Sequence, residues 1–117
     1  MLRSTLICAG LLLALLVVPT AASAASCSVR GQERRLGPTY VTKLTVARVS
    51  STAGKRLVRS YYTCRVANGG KDGRCRKRVS GYSCSERRTN VISTQYDSRV
   101  TCKNGSRRVV HDYTQFT

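Results

Sequence analysis

At 117 residues, with 21 Lys and Arg against 5 Asp and Glu and a formal net charge of +16, the chain has room for one small domain and is strongly biased towards anionic partners. One histidine, His111, and no Cys-x-x-Cys pair make a zinc site a poor alternative to structural bridges. Self-repulsion on this scale works against a small core, so covalent bracing by cysteines is expected.

The first stretch reads as a targeting segment. Arg3 supplies a positive charge, Leu6–Val18 is apolar but too short to span a bilayer, and Ala22-Ser23-Ala24 is an A-x-A site. Residues 1–24 are therefore read as a signal peptide and the protein as secreted or extracytoplasmic. The competing reading is an uncleaved membrane anchor. Removing Arg3 with the leader lowers the net charge by one unit.

Cys8 belongs to that leader, which leaves Cys27, Cys64, Cys75, Cys84 and Cys102. An odd count in an exported chain predicts disulfides and one thiol left over. Lipidation of Cys27 is a further option, although the leucine usual three residues before such a cysteine is missing.

Residues 25–39 have no sustained period, are broken by Gly31 and Gly37-Pro38, and are read as an extended N-terminal arm. Tyr40–Val49 is rich in β-branched residues and predicts a strand. Ser50-Ser51-Thr52 then supplies capping residues before a helix over Thr52–Val66, with Leu57, Tyr61 and Cys64 on one face. Tyr61 and Tyr62 are read as one core residue and one at its edge; the rival is a nucleobase-stacking pair. Asn68–Gly73 is a loop.

Arg74–Glu86 is the next strand, with a bulge at Gly81 to bring Val79 and Tyr82 to one face, and Arg87–Ser93 is its link onward. Thr94–Phe116 is a hairpin about Asn104-Gly105. A loop made of those two residues sets Lys103 opposite Ser106, Val100 opposite Val109, Ser98 opposite His111, Tyr96 opposite Tyr113 and Asp97 opposite Asp112. Residues 40–117 thus form a single small α+β domain: one helix packed on a small antiparallel sheet, a three-stranded meander plus an N-terminal strand, disulfide-braced. A short turn at Val91–Thr94 would set Cys84 opposite Cys102. The preferred bridges are then Cys84–Cys102 and Cys64–Cys75, with Cys27 unpaired. The rival scheme ties Cys64 to the sheet.

Leu44-Thr45-Val46, Lys55-Arg56-Leu57-Val58, Gly81-Tyr82-Ser83-Cys84 and Val100-Thr101-Cys102-Lys103-Asn104-Gly105 occur in that order over most of the mature chain. In this the chain resembles the small secreted cysteine-containing domains of unknown function found widely in actinobacterial secretomes. The resemblance implies the fold and a secreted location, and brings no activity, cofactor or catalytic residue. In such domains a cysteine tends to open the helix, where this chain has Ser51. That departure would account for the odd count.

Catalytic chemistry has few candidates. A small secreted ribonuclease would use His111 with Glu86, Arg107 and Arg108, yet the register turns His111 inward as a structural residue. Asp97 facing Asp112 is read as a surface pair balanced by Arg99. No catalytic residue, cofactor or metal is assigned. The remaining signal is charge: Arg74, Arg76, Lys77 and Arg78; Arg87 and Arg88; Lys103, Arg107 and Arg108. Such clusters bind polyanions through counterion release, which points to anionic envelope or extracellular polymers, or an anionic cell surface. The bland reading is that the charge only maintains solubility. The alternative from another class is a disulfide-braced inhibitor or protein-interaction module, contacting a protein partner through residues 67–73 or 87–95.

Overall fold

The computed structural model describes residues 25–33 and 40–116. The expected leader lies outside the described residues. Among the described residues there are five strands and one α-helix: β1 Ala25–Cys27, β2 Tyr40–Ala47, α1 Ser51–Ala67, β3 Ser83–Ile92, β4 Gln95–Asn104 and β5 Arg107–Phe116, with a 3-10 turn at Gly70–Asp72. The strands form one antiparallel sheet in the order β1-β2-β5-β4-β3. The α+β arrangement is as expected, with one strand more. The start of the arm pairs with β2, Ala25 opposite Val46 and Cys27 opposite Leu44. Ala25, Cys27 and Val29 are buried, so hydrophobic contact holds this stretch against the core.

Helix α1 begins where the capping residues place it. Ser50 Oγ accepts from the Ala53 amide at 3.1 Å. At the other end Asn68 donates from Nδ2 to the Cys64 carbonyl at 2.7 Å. Its inward face is Gly54, Leu57, Val58, Tyr61, Cys64 and Arg65. At Gly54 helix and sheet approach closely: a Cβ there would lie 2.7 Å from Val46 Cγ1.

The β4–β5 register differs from the expected one by two residues. Asn104 stays in the ladder opposite Arg107, and the loop is Gly105-Ser106. Gly105 takes φ +60 while Asn104 and Ser106 keep negative φ, so glycine occupies the first central position, as in a type II′ turn. A shift of two preserves side-chain parity, so the inward set survives: Tyr96, Ser98, Val100, Cys102, Val109, His111 and Tyr113. The facing pairs change. Asp112 lies opposite Arg99, not Asp97, and accepts from it at 2.8 and 3.0 Å. Asp97 instead accepts from Thr114 Oγ1 at 2.7 Å and Asn90 Nδ2 at 2.9 Å.

Two other expectations are corrected. Val79 and Tyr82 share a face through a tight turn, not a bulge. They exchange both backbone hydrogen bonds, and Ser80 and Gly81 between them both take positive φ. Arg87–Ile92 is strand, not a link. Its inward positions are polar, so no apolar alternation marks it.

Both preferred bridges are present, Cys64–Cys75 and Cys84–Cys102. The unpaired thiol expected at Cys27 is not. No described cysteine is free, and Cys27 is itself disulfide-bonded.

Candidate anion-binding surface

Three places could carry chemistry: the polar interior beneath α1, the outer face of the sheet, and the cationic end of the molecule. The interior is built on Glu86 and Arg88, two residues apart on β3 and therefore on one face. Glu86 accepts from Tyr61 at 2.6 Å, from Tyr113 at 2.7 Å and from Arg88 Nε. Arg88 also donates to the Asp72 carbonyl at 2.9 Å. Burial pushes the Glu86 carboxyl up, but the bonds from Tyr61, Arg88 and Tyr113 outweigh it and hold the group below its ordinary range. Tyr61 and Tyr113 are both raised, by burial first and by their hydroxyl bonds next.

Beside this pair lies a second buried cation. Arg65 is 1% exposed and donates to the Lys71 carbonyl at 2.7 Å, Tyr96 Oη at 3.0 Å and Gln115 Oε1 at 2.8 Å. Its guanidinium lies 4.6 Å from the Tyr113 ring centroid, a cation–π contact. Sequence reading missed Arg65. The available signal was its position four residues after Tyr61, on the helix face already taken as apolar.

His111 lies between Tyr61 and Tyr113, 3% exposed, with no hydrogen-bond partner at Nδ1. Burial lowers its pKa to about 4, with Arg65 acting the same way and Asp112 and Glu86 opposing. The histidine, Glu86 and the tyrosines are thus packed together without access for a substrate. Arg107 and Arg108, the expected companions of His111, are exposed at the turn end of β5, and Arg108 has the parity of the outer face.

On the outer face a recess of about 460 Å³ is lined by Thr42, Arg87, Thr89, Asp97, Arg99 and Asp112. The row across it reads Arg87, Arg99, Asp112, Lys43 on adjacent strands. Asp97 is lowered by its bonds to Asn90 and Thr114, which disfavours it as a general acid, and Asp112 is engaged in an ion pair with Arg99. Among the described residues no group of three His, Cys, Asp or Glu could hold a metal ion.

The cationic clusters are regrouped by the fold. Arg88 drops out, since its side chain is 11% exposed and engaged by Glu86. Arg87 sits alone on the outer face opposite Arg99. Lys103, Arg107 and Arg108 flank the β4–β5 turn and Arg78 reaches the Ser80-Gly81 turn, whereas Arg74 and Arg76 flank Cys75, which is bonded to Cys64 towards the far end of α1. A Cβ on Gly81 would lie 3.5 Å from Asn104 Nδ2, so the Ser80-Gly81 turn lies against the β4–β5 turn. Arg78 donates to the Gly81 carbonyl at 3.2 Å. Arg74, Arg76, Lys77, Arg78, Lys103, Arg107 and Arg108 are all exposed. The only ion pairs among the described residues are Glu86–Arg88 and Asp112–Arg99, so none of the seven has an acidic partner there. Between α1 and the following segment lies a recess of about 300 Å³, lined by Ser60, Thr63, Ala67, Lys77, Arg78 and Ser80.

No family model, curated protein or solved structure matches the chain. Among the described residues no helix is long and apolar enough to cross a membrane.

Proposed function

We propose that this is an exported, non-enzymatic domain that associates electrostatically with anionic polymers of the envelope or the extracellular medium. The observation that carries the reading is the group of exposed cations Arg78, Lys103, Arg107 and Arg108 at the end formed by the Ser80-Gly81 and Gly105-Ser106 turns, none with an acidic partner among the described residues. Cations left open in this way are available for counterion-releasing contacts. The two disulfides fit an oxidising compartment, as export requires. Closure of the interior around His111 and Glu86 argues against the ribonuclease alternative. Elution from an immobilised heparin column in rising salt tests the proposal. Retention well beyond that of a neutral protein of this size is expected, and elution at low salt with such a control would refute it.

One observation favours the second reading, an inhibitor or protein-interaction module. The β3–β4 tip carries Val91 at 67% and Ile92 at 61% exposure, within the 87–95 contact stretch expected from sequence. Adjacent exposed apolar side chains on a hairpin tip suit insertion into a partner's cleft. Titrating a secreted endopeptidase with the domain tests the inhibitor form. Inhibition that disappears in the Val91→Asp, Ile92→Asp variant would support it, and undiminished proteolysis would count against it.

A further inference from the structure

The recess between α1 and residues 77–80 follows from how the segment is anchored. At one end Cys75 is bonded to Cys64 on the helix, with a Cα–Cα distance of 5.2 Å. At the other, Val79 and Tyr82 are buried at 5% and 8% exposure. The residues between these anchors are held alongside the helix, and the helix meets them with short side chains, Ser60, Thr63 and Ala67. The cavity is therefore fixed by a covalent bridge and a hydrophobic anchor, not by loop packing alone.

Its lining has a defined chemistry. Lys77 and Arg78 bring positive charge, and Ser60 and Ser80 bring hydroxyls from opposite walls. Thr63 already donates its hydroxyl to the Arg59 carbonyl at 3.2 Å, so the serines are the hydroxyl donors at hand. No carboxylate lines the recess. Donors approaching from several directions suit a tetrahedral oxyanion, whereas a planar carboxylate offers its two oxygens in one plane. The lining has no aromatic ring, so it offers nothing for stacking a nucleobase. The Ser80-Gly81 turn joins it to Lys103, Arg107 and Arg108, which can take neighbouring charges of the same chain.

We propose that this recess seats one phosphate or sulfate group of a base-free polyanion. The inference rests on the polyanion reading above and adds selectivity to it: tetrahedral oxyanions are preferred over carboxylates.

Binding by the full chain is measured at fixed salt with length-matched polyphosphate, dextran sulfate, polyglutamate and oligo-dT. The first two are expected to bind about tenfold tighter than polyglutamate, the worth of one additional charge-assisted hydrogen bond. The tighter of the two identifies the group as phosphate or sulfate. Ala67→Leu fills the recess while leaving every cation in place, and should remove the preference but keep salt-sensitive retention on heparin. Circular dichroism matching wild type verifies its fold, and Ser60→Ala, which removes a donor without adding bulk, should weaken the preference in the same direction. Equal binding of polyglutamate by the wild type, or a preference unchanged in both variants, would overturn the recess while leaving the polyanion reading intact. Tighter binding of oligo-dT than of polyphosphate would overturn the base-free assignment. Failure of the wild type to be retained on heparin would overturn both readings together.

Discussion

Tyr61 on α1 donates its hydroxyl to Glu86 Oε1 on β3 at 2.6 Å, joining the helix to the outermost strand of the sheet. The same carboxylate holds Tyr113 and Arg88, so three elements meet at one side chain. Glu86→Ala leaves Arg88 without its acidic partner in a largely buried position. A loss of about 3 kcal/mol is expected in urea denaturation, within the range for breaking a buried pair. Tyr61→Phe removes one bond to a charged acceptor and should cost about 2 kcal/mol.

Acid should weaken the fold in two stages. The buried His111 imidazole has a pKa of about 4, against 6.5 for an unperturbed histidine. Between those values the unfolded chain binds the additional proton, so stability falls as pH falls, by about 3 kcal/mol across the interval. Glu86 acts lower. Its folded pKa is depressed, so its contribution is present at neutral pH and is lost as pH falls from the ordinary carboxylate range through the folded value. Thermal melts from pH 7 to 3 should show both stages. His111→Phe should remove the upper one and leave the lower.

Gly54→Ala isolates the helix–sheet contact. On helix propensity alone the change would stabilise by about 1 kcal/mol. The new methyl would lie 2.7 Å from Val46 Cγ1, and Val46 is 2% exposed and β-branched, with little room to yield. Net destabilisation of about 1–3 kcal/mol is expected from overpacking, read as a lower denaturation midpoint.

The two bridges should separate stability from binding. Replacing either pair by serine removes a short-loop cross-link and should cost about 3 kcal/mol. Cys64–Cys75 also anchors the segment bearing Lys77 and Arg78, whereas Cys84–Cys102 joins β3 to β4 within the sheet. Heparin retention should therefore fall in the Cys64→Ser, Cys75→Ser variant more than in Cys84→Ser, Cys102→Ser, when both are compared under conditions where they remain folded.

The parts of this architecture written as apolar periodicity are legible in the sequence. Leu57, Tyr61 and Cys64 mark the helix face, and alternation in Tyr96–Cys102 marks β4, so the correct faces emerge even from a register displaced by two. Cys84 does lie opposite Cys102, although the turn joins Ile92 to Gln95 and an irregularity between Thr89 and Ile92 sets the cysteine register. What escapes is whatever depends on contacts between distant polar groups. β3 directs Glu86 and Arg88 inward, a pattern that reads as surface until Tyr61 and Tyr113 arrive from elsewhere in the chain. Arg88 was accordingly grouped with exposed cations. Asn104-Gly105 signals a turn but does not distinguish an Asn-Gly loop from Gly-Ser, since glycine serves either primed geometry. The candidate surface is intermediate. Its arginines and lysines stand out in composition, but the gathering of Arg78 with Arg107 and the recess by Ser60 are products of tertiary packing.

Salt dependence tests the central claim most directly. For binding to a flexible polyphosphate, each neutralised charge contributes about −0.7 to the slope of log K against log salt. The wild type should show a steep slope, and Lys103→Gln, Arg107→Gln, Arg108→Gln should make it shallower by about 2, with an unchanged melting curve. A wild-type slope near zero, or one that the triple substitution leaves unchanged, would contradict a polyanion-binding role for this end of the molecule.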